Sequence, residues 1–101
     1  MIERKIRYSL RAQADVLACG LYWRLNHAGE RVVAFEDELH RKLDFIRQFP
    51  EQYAKGRSRQ YRTARVAPMS DTGHLIVYHI RSPRLIEIVA ILVSRTATRR
   101  P

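Results

Sequence analysis

Cysteine occurs once, at Cys19, so the chain can form no intrachain disulfide and offers no cysteine-based metal site. Glycine and proline are scarce, four of each, while hydrophobic residues make up 46%. That balance excludes a wholly disordered chain. No apolar run approaches the roughly 18 residues of a membrane span, and Met1-Ile2-Glu3-Arg4-Lys5 does not resemble the start of a signal peptide. The expected location is the cytoplasm, with no membrane partner. Acidic residues are scarce too, but only in one half. Residues 1–53 carry nine Lys/Arg against eight Asp/Glu, a net +1, whereas residues 54–101 carry ten against two, a net +8. An excess placed so unevenly suits a face that meets a polyanion or an acidic protein better than a generally basic surface. A length of 101 residues leaves room for one domain, residues 1–101, and none for a separate catalytic domain.

The opening segment alternates, Ile6, Tyr8 and Leu10 facing one way, which predicts a half-buried strand. From Arg11 the period becomes helical, and Ala14, Leu17, Leu21 and Leu25, widened by Ala18 and Tyr22, trace the expected core stripe. Asn26-His27-Ala28-Gly29 breaks this helix, with Asn and Gly both tolerant of the left-handed conformation at helix ends. Glu30 begins a second helix with the stripe Val32, Phe35, Leu39, Leu43, Ile46 and Phe49, stopped by Pro50. Two helices so closely linked predict an antiparallel hairpin. Residues 51–59 read as a polar, basic loop. Three strands follow at Gln60–Ala67, His74–Arg81 and Leu85–Ser94, the last apolar on both faces as a central strand would be. Residues 95–101 form a short basic tail. The expected fold is α+β: strand-helix-helix-strand-strand-strand, with a helix hairpin on one face of a mainly antiparallel sheet.

Over residues 5 to about 95 this order resembles the RelE/ParE superfamily of type II toxin–antitoxin toxins. The resemblance rests on Ala14-Asp15-Val16-Leu17 in the first helix, on Phe49-Pro50 closing the second, and on Tyr61-Arg62-Thr63-Ala64-Arg65. Its clearest part is His74-Leu75-Ile76-Val77-Tyr78-His79-Ile80, followed by Ile86-Glu87-Ile88-Val89-Ala90-Ile91-Leu92. The chain departs from the family after Leu92. Many ParE-type relatives have a His there, and several RelE-type nucleases a C-terminal Tyr or His; Val93-Ser94-Arg95-Thr96-Ala97-Thr98-Arg99-Arg100-Pro101 contains neither.

RelE-type toxins cleave messenger RNA in the ribosome, which needs an acid/base pair and arginines for the phosphate. If the chain is a metal-independent ribonuclease, the candidates are Arg62, Arg65, His79, Arg81 and Arg95. His79 shares a strand face with Val77 and Arg81, and the default for a lone strand histidine is a surface role. Glu87 is read as the partner of a nearby arginine, and Tyr78 as packed beneath the sheet. Either Tyr22 or Trp23 could serve as an exposed anchor for a partner, with core burial an equal expectation for one of them. His74, at a strand start, reads as solvated, while His27 and His40 belong to the helix hairpin. Cys19 has no base beside it in sequence. No metal-ligand spacing and no cofactor motif occurs.

The candidate binding residues for a target or antitoxin are Lys55, Arg57, Arg59, Arg62, Arg65, Arg95, Arg99 and Arg100. Tyr53 and Tyr61 flank or interrupt the first of these, a pattern suited to phosphate contact with base stacking or to an acidic antitoxin segment. The resemblance implies a cognate antitoxin as partner. The first functional reading is a ParE-like, non-enzymatic inhibitor of DNA gyrase, which fits the missing C-terminal His and Tyr. The alternative is a RelE-like endoribonuclease acting on mRNA in the ribosome. A third is a non-toxic nucleic-acid-binding module.

Overall fold

The computed structural model describes residues 3–26, 28–56 and 59–93, leaving the Gln60 side chain aside. The elements follow the expected order: β1 (Lys5–Tyr8), α1 (Leu10–Leu25), α2 (Gly29–Gln48), a 3-10 turn (Arg59–Tyr61), β2 (Arg65–Met69), β3 (His74–Ser82) and β4 (Leu85–Val93). The sheet order is β1-β4-β3-β2. Its last three strands form an antiparallel meander, and β1 lies parallel to β4, from Lys5 opposite Leu85 to Tyr8 opposite Ile88. The most apolar strand is thus internal, flanked by β3 along its length and by β1 over Leu85–Ile88.

The two helices lie on one face. Phe35, Leu39, Leu43 and Ile46 of α2 enter the core, as their spacing predicts, and meet Ala67, Met69, Ile76, Tyr78, Ile86 and Ile88. Full burial of such side chains is worth about 1.5–3 kcal/mol each. The expected stripe of α1 is not the buried one. Leu17, Leu21 and Leu25 are 74%, 58% and 70% exposed, and α1 instead turns Ala12, Val16, Cys19 and Trp23 inward. The reason lies in how the helix is anchored. Ser9 caps it, its hydroxyl accepting from Ala12 N at 3.0 Å and donating to Val89 O at 3.0 Å. Asp15 accepts from Ile91 N at 2.9 Å, satisfying β4 where it runs on beyond the end of β1. These two bonds fix the rotation of α1, and the smaller side chains face the sheet. Leu10 opens the helix rather than ending the strand, and it too is exposed. At the other end, Asn26 stops α1 without a left-handed backbone, at φ −101°, its amide donating to Tyr22 O at 2.7 Å.

Two further boundaries differ from the pattern. The expected strand Gln60–Ala67 is a 3-10 turn followed by β2, and β2 continues through Pro68, which it tolerates because it is an edge strand. Phe49 remains half exposed. A register shift between Val77 and Tyr78 places Val77 opposite Ala90 and Tyr78 opposite Ile88, so Val89 is an extra residue in β4. Ile88 and Ile91 therefore face the helices, while Val89, Ala90 and Leu92 turn to the other side. There they pack with Val66 and Val77 under Tyr61 and Ala64, which fold back over the outer face.

The β2–β3 turn is locked from α2. Glu38 is only 2% exposed and accepts from Asp71 N (3.0 Å), Thr72 N (3.2 Å) and the Thr72 hydroxyl (3.1 Å). Gly73 closes the turn at φ 77°, a conformation that disfavours side chains.

Candidate partner-binding site

The candidate residues fall into separate places. His79 and Arg81 stand on the outer face of β3, where His79 lies opposite Glu87 near the start of β4. Glu87 accepts from Arg81 Nε at 2.9 Å and Nη2 at 2.7 Å, and pairs with Arg7 Nη2 at 3.3 Å. Its hydrogen bonds with Arg81 hold its carboxyl below the ordinary range. Burial first, and then the Arg81 charge, hold the His79 imidazole below its usual value as well. The cluster contains a histidine and a carboxylate, but the carboxylate is already shared between two guanidinium groups.

Arg65 is engaged elsewhere. Its Nη1 donates to Tyr53 O at 2.7 Å and Glu51 O at 3.3 Å, and beside it the buried Tyr78 hydroxyl donates to Pro50 O at 2.6 Å. Burial pushes the Tyr78 phenol up to about 12, so it stays protonated as a donor in this strut. Among the described residues, Lys55, Arg59 and Arg62 are exposed and make no ion pair. Tyr61 receives a long hydrogen bond from Arg11 Nη1 at 3.3 Å. Arg57, Arg95, Arg99, Arg100 and His27 lie outside the described residues.

His74, expected in solvent, is 6% exposed. Trp23 and Phe35 enclose it, with ring centroids 5.5 and 5.0 Å away. Its Nε2 lies 3.4 Å from Cys19 Sγ, and its Nδ1 lies 3.1 Å from Thr72 Oγ1, whose proton goes to Glu38. The arrangement is consistent with Nδ1–H donating to Thr72 and the thiol donating to Nε2. Sequence spacing gave no hint of this base beside Cys19, because the pair is 55 residues apart in sequence. It is nevertheless a poor nucleophile. Burial raises the thiol and lowers the imidazole, so both stay neutral. Among the described residues, no group of three or more His, Cys, Asp or Glu side chains has metal-binding geometry.

The site that sequence patterning missed is the outside of α1. Leu10, Leu17, Leu21 and Leu25 form one exposed apolar stripe, and Tyr22 beside it is 64% exposed while Trp23 is buried. The stripe borders an open groove of about 350 Å³ between α1 and α2, with Tyr8, Val16, Leu17 and Leu39 as apolar lining and Gln13, Glu36 and His40 as polar groups. Gly20, in mid-helix, has open space where a Cβ would stand. It costs about 1 kcal/mol against alanine and meets no steric need of this chain. No described helix is long and apolar enough to cross a membrane.

A family model described as "ParE toxin of type II toxin-antitoxin system, parDE" matches residues 6–97. No curated protein matches the chain by sequence. Among solved structures, a chain of "Chromosomal ParDE TA system from P. aeruginosa" superposes with a TM-score of 0.73 at 14% identity. The alignment covers 90% of this chain and 96% of that one. At that identity the likeness concerns the fold.

Proposed function

The chain belongs to the ParE toxin family of type II toxin–antitoxin systems, and on that premise we propose that it acts by binding DNA gyrase and is neutralised through the outer stripe of α1. It is the toxin component of such a pair, and its partner is an antitoxin. The observation that carries the proposal is the outward row Leu10, Leu17, Leu21 and Leu25 beside the α1–α2 groove. Exposed apolar rows of this kind mark protein contacts. An amphipathic antitoxin helix fits the row, and Gly20 lets its backbone approach closely. An acidic stretch of the same antitoxin suits Lys55, Arg59 and Arg62, where electrostatic attraction speeds encounter.

Gyrase is favoured over the ribosome because the outer sheet face offers little to a nuclease. A general base must be free to take a proton, and Glu87 is committed to Arg81 and Arg7. The ribonuclease reading keeps one observation in its favour, the placement of His79 opposite Glu87 in the ladder. Either target implies action in the cytoplasm. Growth arrest on induction of His79→Ala separates the two. The gyrase reading expects arrest as strong as in the parent, whereas loss of a catalytic acid or base costs about 10²–10⁴-fold in rate. Abolished arrest in a folded His79→Ala variant would transfer the proposal to the ribonuclease.

A further inference from the structure

Two phenylalanines at the end of α2 face solvent, and neither the core nor the antitoxin site uses them. Phe45 is 38% exposed and Phe49 50%. Their ring centroids are 5.2 Å apart and inclined at 48°, and Phe45 meets Tyr53 edge-on at 5.7 Å. The rings stand on a braced corner. Phe49 N donates to Phe45 O, the Tyr78 hydroxyl holds Pro50 O, and Arg65 holds Tyr53 O. Lys42 Nζ lies 5.9 Å from the Tyr53 ring centroid, within reach of a cation–π contact. Lys55 is two residues beyond Tyr53, hence within about 7 Å along the chain.

The composition of this corner is lopsided. Residues 42–65 contain seven Lys/Arg and two carboxylates, Asp44 and Glu51, and Asp44 is paired with Arg47 at 3.0 Å. At 3.6 residues per turn, Phe45 and Phe49 project about 180° around α2 from Glu36 and His40, so the aromatic corner is separate from the α1–α2 groove. Partly exposed aromatic rings beside cations can combine base stacking with phosphate neutralisation. An acidic peptide would use the cations and leave the rings idle, and a paired duplex would bury the base faces the rings need.

We propose that Phe45, Phe49 and Tyr53, with Lys42 and Lys55, form a binding site for single-stranded nucleic acid, separate from the α1 stripe, overlapping the antitoxin's acidic contact only at Lys55, and independent of which target the toxin attacks. Bases stack on the phenylalanines, and the lysines contact the flanking phosphates.

The test is fluorescence anisotropy of an end-labelled oligothymidylate with the full chain, compared with a hairpin duplex and a polyglutamate peptide. Phe45→Ser/Phe49→Ser should keep the parental melting curve and weaken oligothymidylate binding at least about fivefold for each ring lost. Lys42→Gln/Lys55→Gln should flatten the dependence of affinity on salt between about 50 and 200 mM. If the double serine variant melts early, Phe49→Ser alone carries the same expectation. The proposal is overturned if the serine variants bind as the parent does. It is equally overturned if duplex or polyglutamate binds as tightly as the single strand, or if the parent does not bind at all.

Discussion

Replacing Leu17 and Leu21 together by glutamine separates the outer stripe of α1 from a core. Glutamine keeps helix propensity, so the change tests burial rather than helix formation. In the free chain these leucines are 74% and 58% exposed, leaving about 1.3 leucine side chains of surface for a partner to cover. At about 1.5–3 kcal/mol per fully buried leucine, that surface is worth about 2–4 kcal/mol on binding. With tenfold per 1.4 kcal/mol, the double variant should bind the antitoxin about 30- to 700-fold more weakly. Its own stability should change by about 0.5 kcal/mol or less, as for surface substitutions, which moves Tm by about 2–4 °C. Calorimetric titration with the purified antitoxin and a melting curve read both quantities from one preparation. A fall of Tm by more than about 10 °C would return the leucines to the core. An unchanged antitoxin affinity would remove the stripe from the interface.

Glu38→Ala should destabilise by about 2–4 kcal/mol, because the Asp71 and Thr72 amides and the Thr72 hydroxyl lose their acceptor together; denaturant unfolding measures it, and a change under about 0.5 kcal/mol would show that the turn holds itself. His74 supplies a pH dependence with a definite sign. Its folded pKa lies below the ordinary 6.5, so the stability it contributes is present above that pH and is lost as pH falls through 6.5 toward the folded value. Unfolding free energies measured across this window should fall on acidification in the parent and more shallowly in His74→Gln, and parallel curves would refute the assignment.

The sheet and α2 were legible because their patterns are unambiguous. Phe35, Leu39, Leu43 and Ile46 repeat at helical spacing against a charged opposite face, and β4 is apolar on both sides. The helix α1 was misread for a physical reason. It is apolar all round, with Ala12, Val16, Cys19 and Trp23 inward and four leucines outward, so periodicity cannot say which side the sheet covers. Rotation is set by Ser9 and Asp15, whose partners Val89 and Ile91 lie some 80 residues away in the chain. Long-range partnership also hid His74, buried by Trp23 and Phe35, and Glu38, whose bonds reach a turn more than thirty residues on. Pro68 marked the end of a strand only because an edge position, free of ladder donation, is invisible before the sheet order is known. Of the candidate site, the basic loop and the pairing of Glu87 with arginine were readable. The stripe was seen as apolar but assigned to the wrong side of the helix.

Supercoiling of relaxed plasmid by purified gyrase, with the toxin chain added and no ribosomes present, decides between the two targets. The chain should block supercoiling, and equimolar antitoxin should restore it. Undisturbed supercoiling, with cleavage of mRNA when the same preparation meets translating ribosomes, would contradict the gyrase reading.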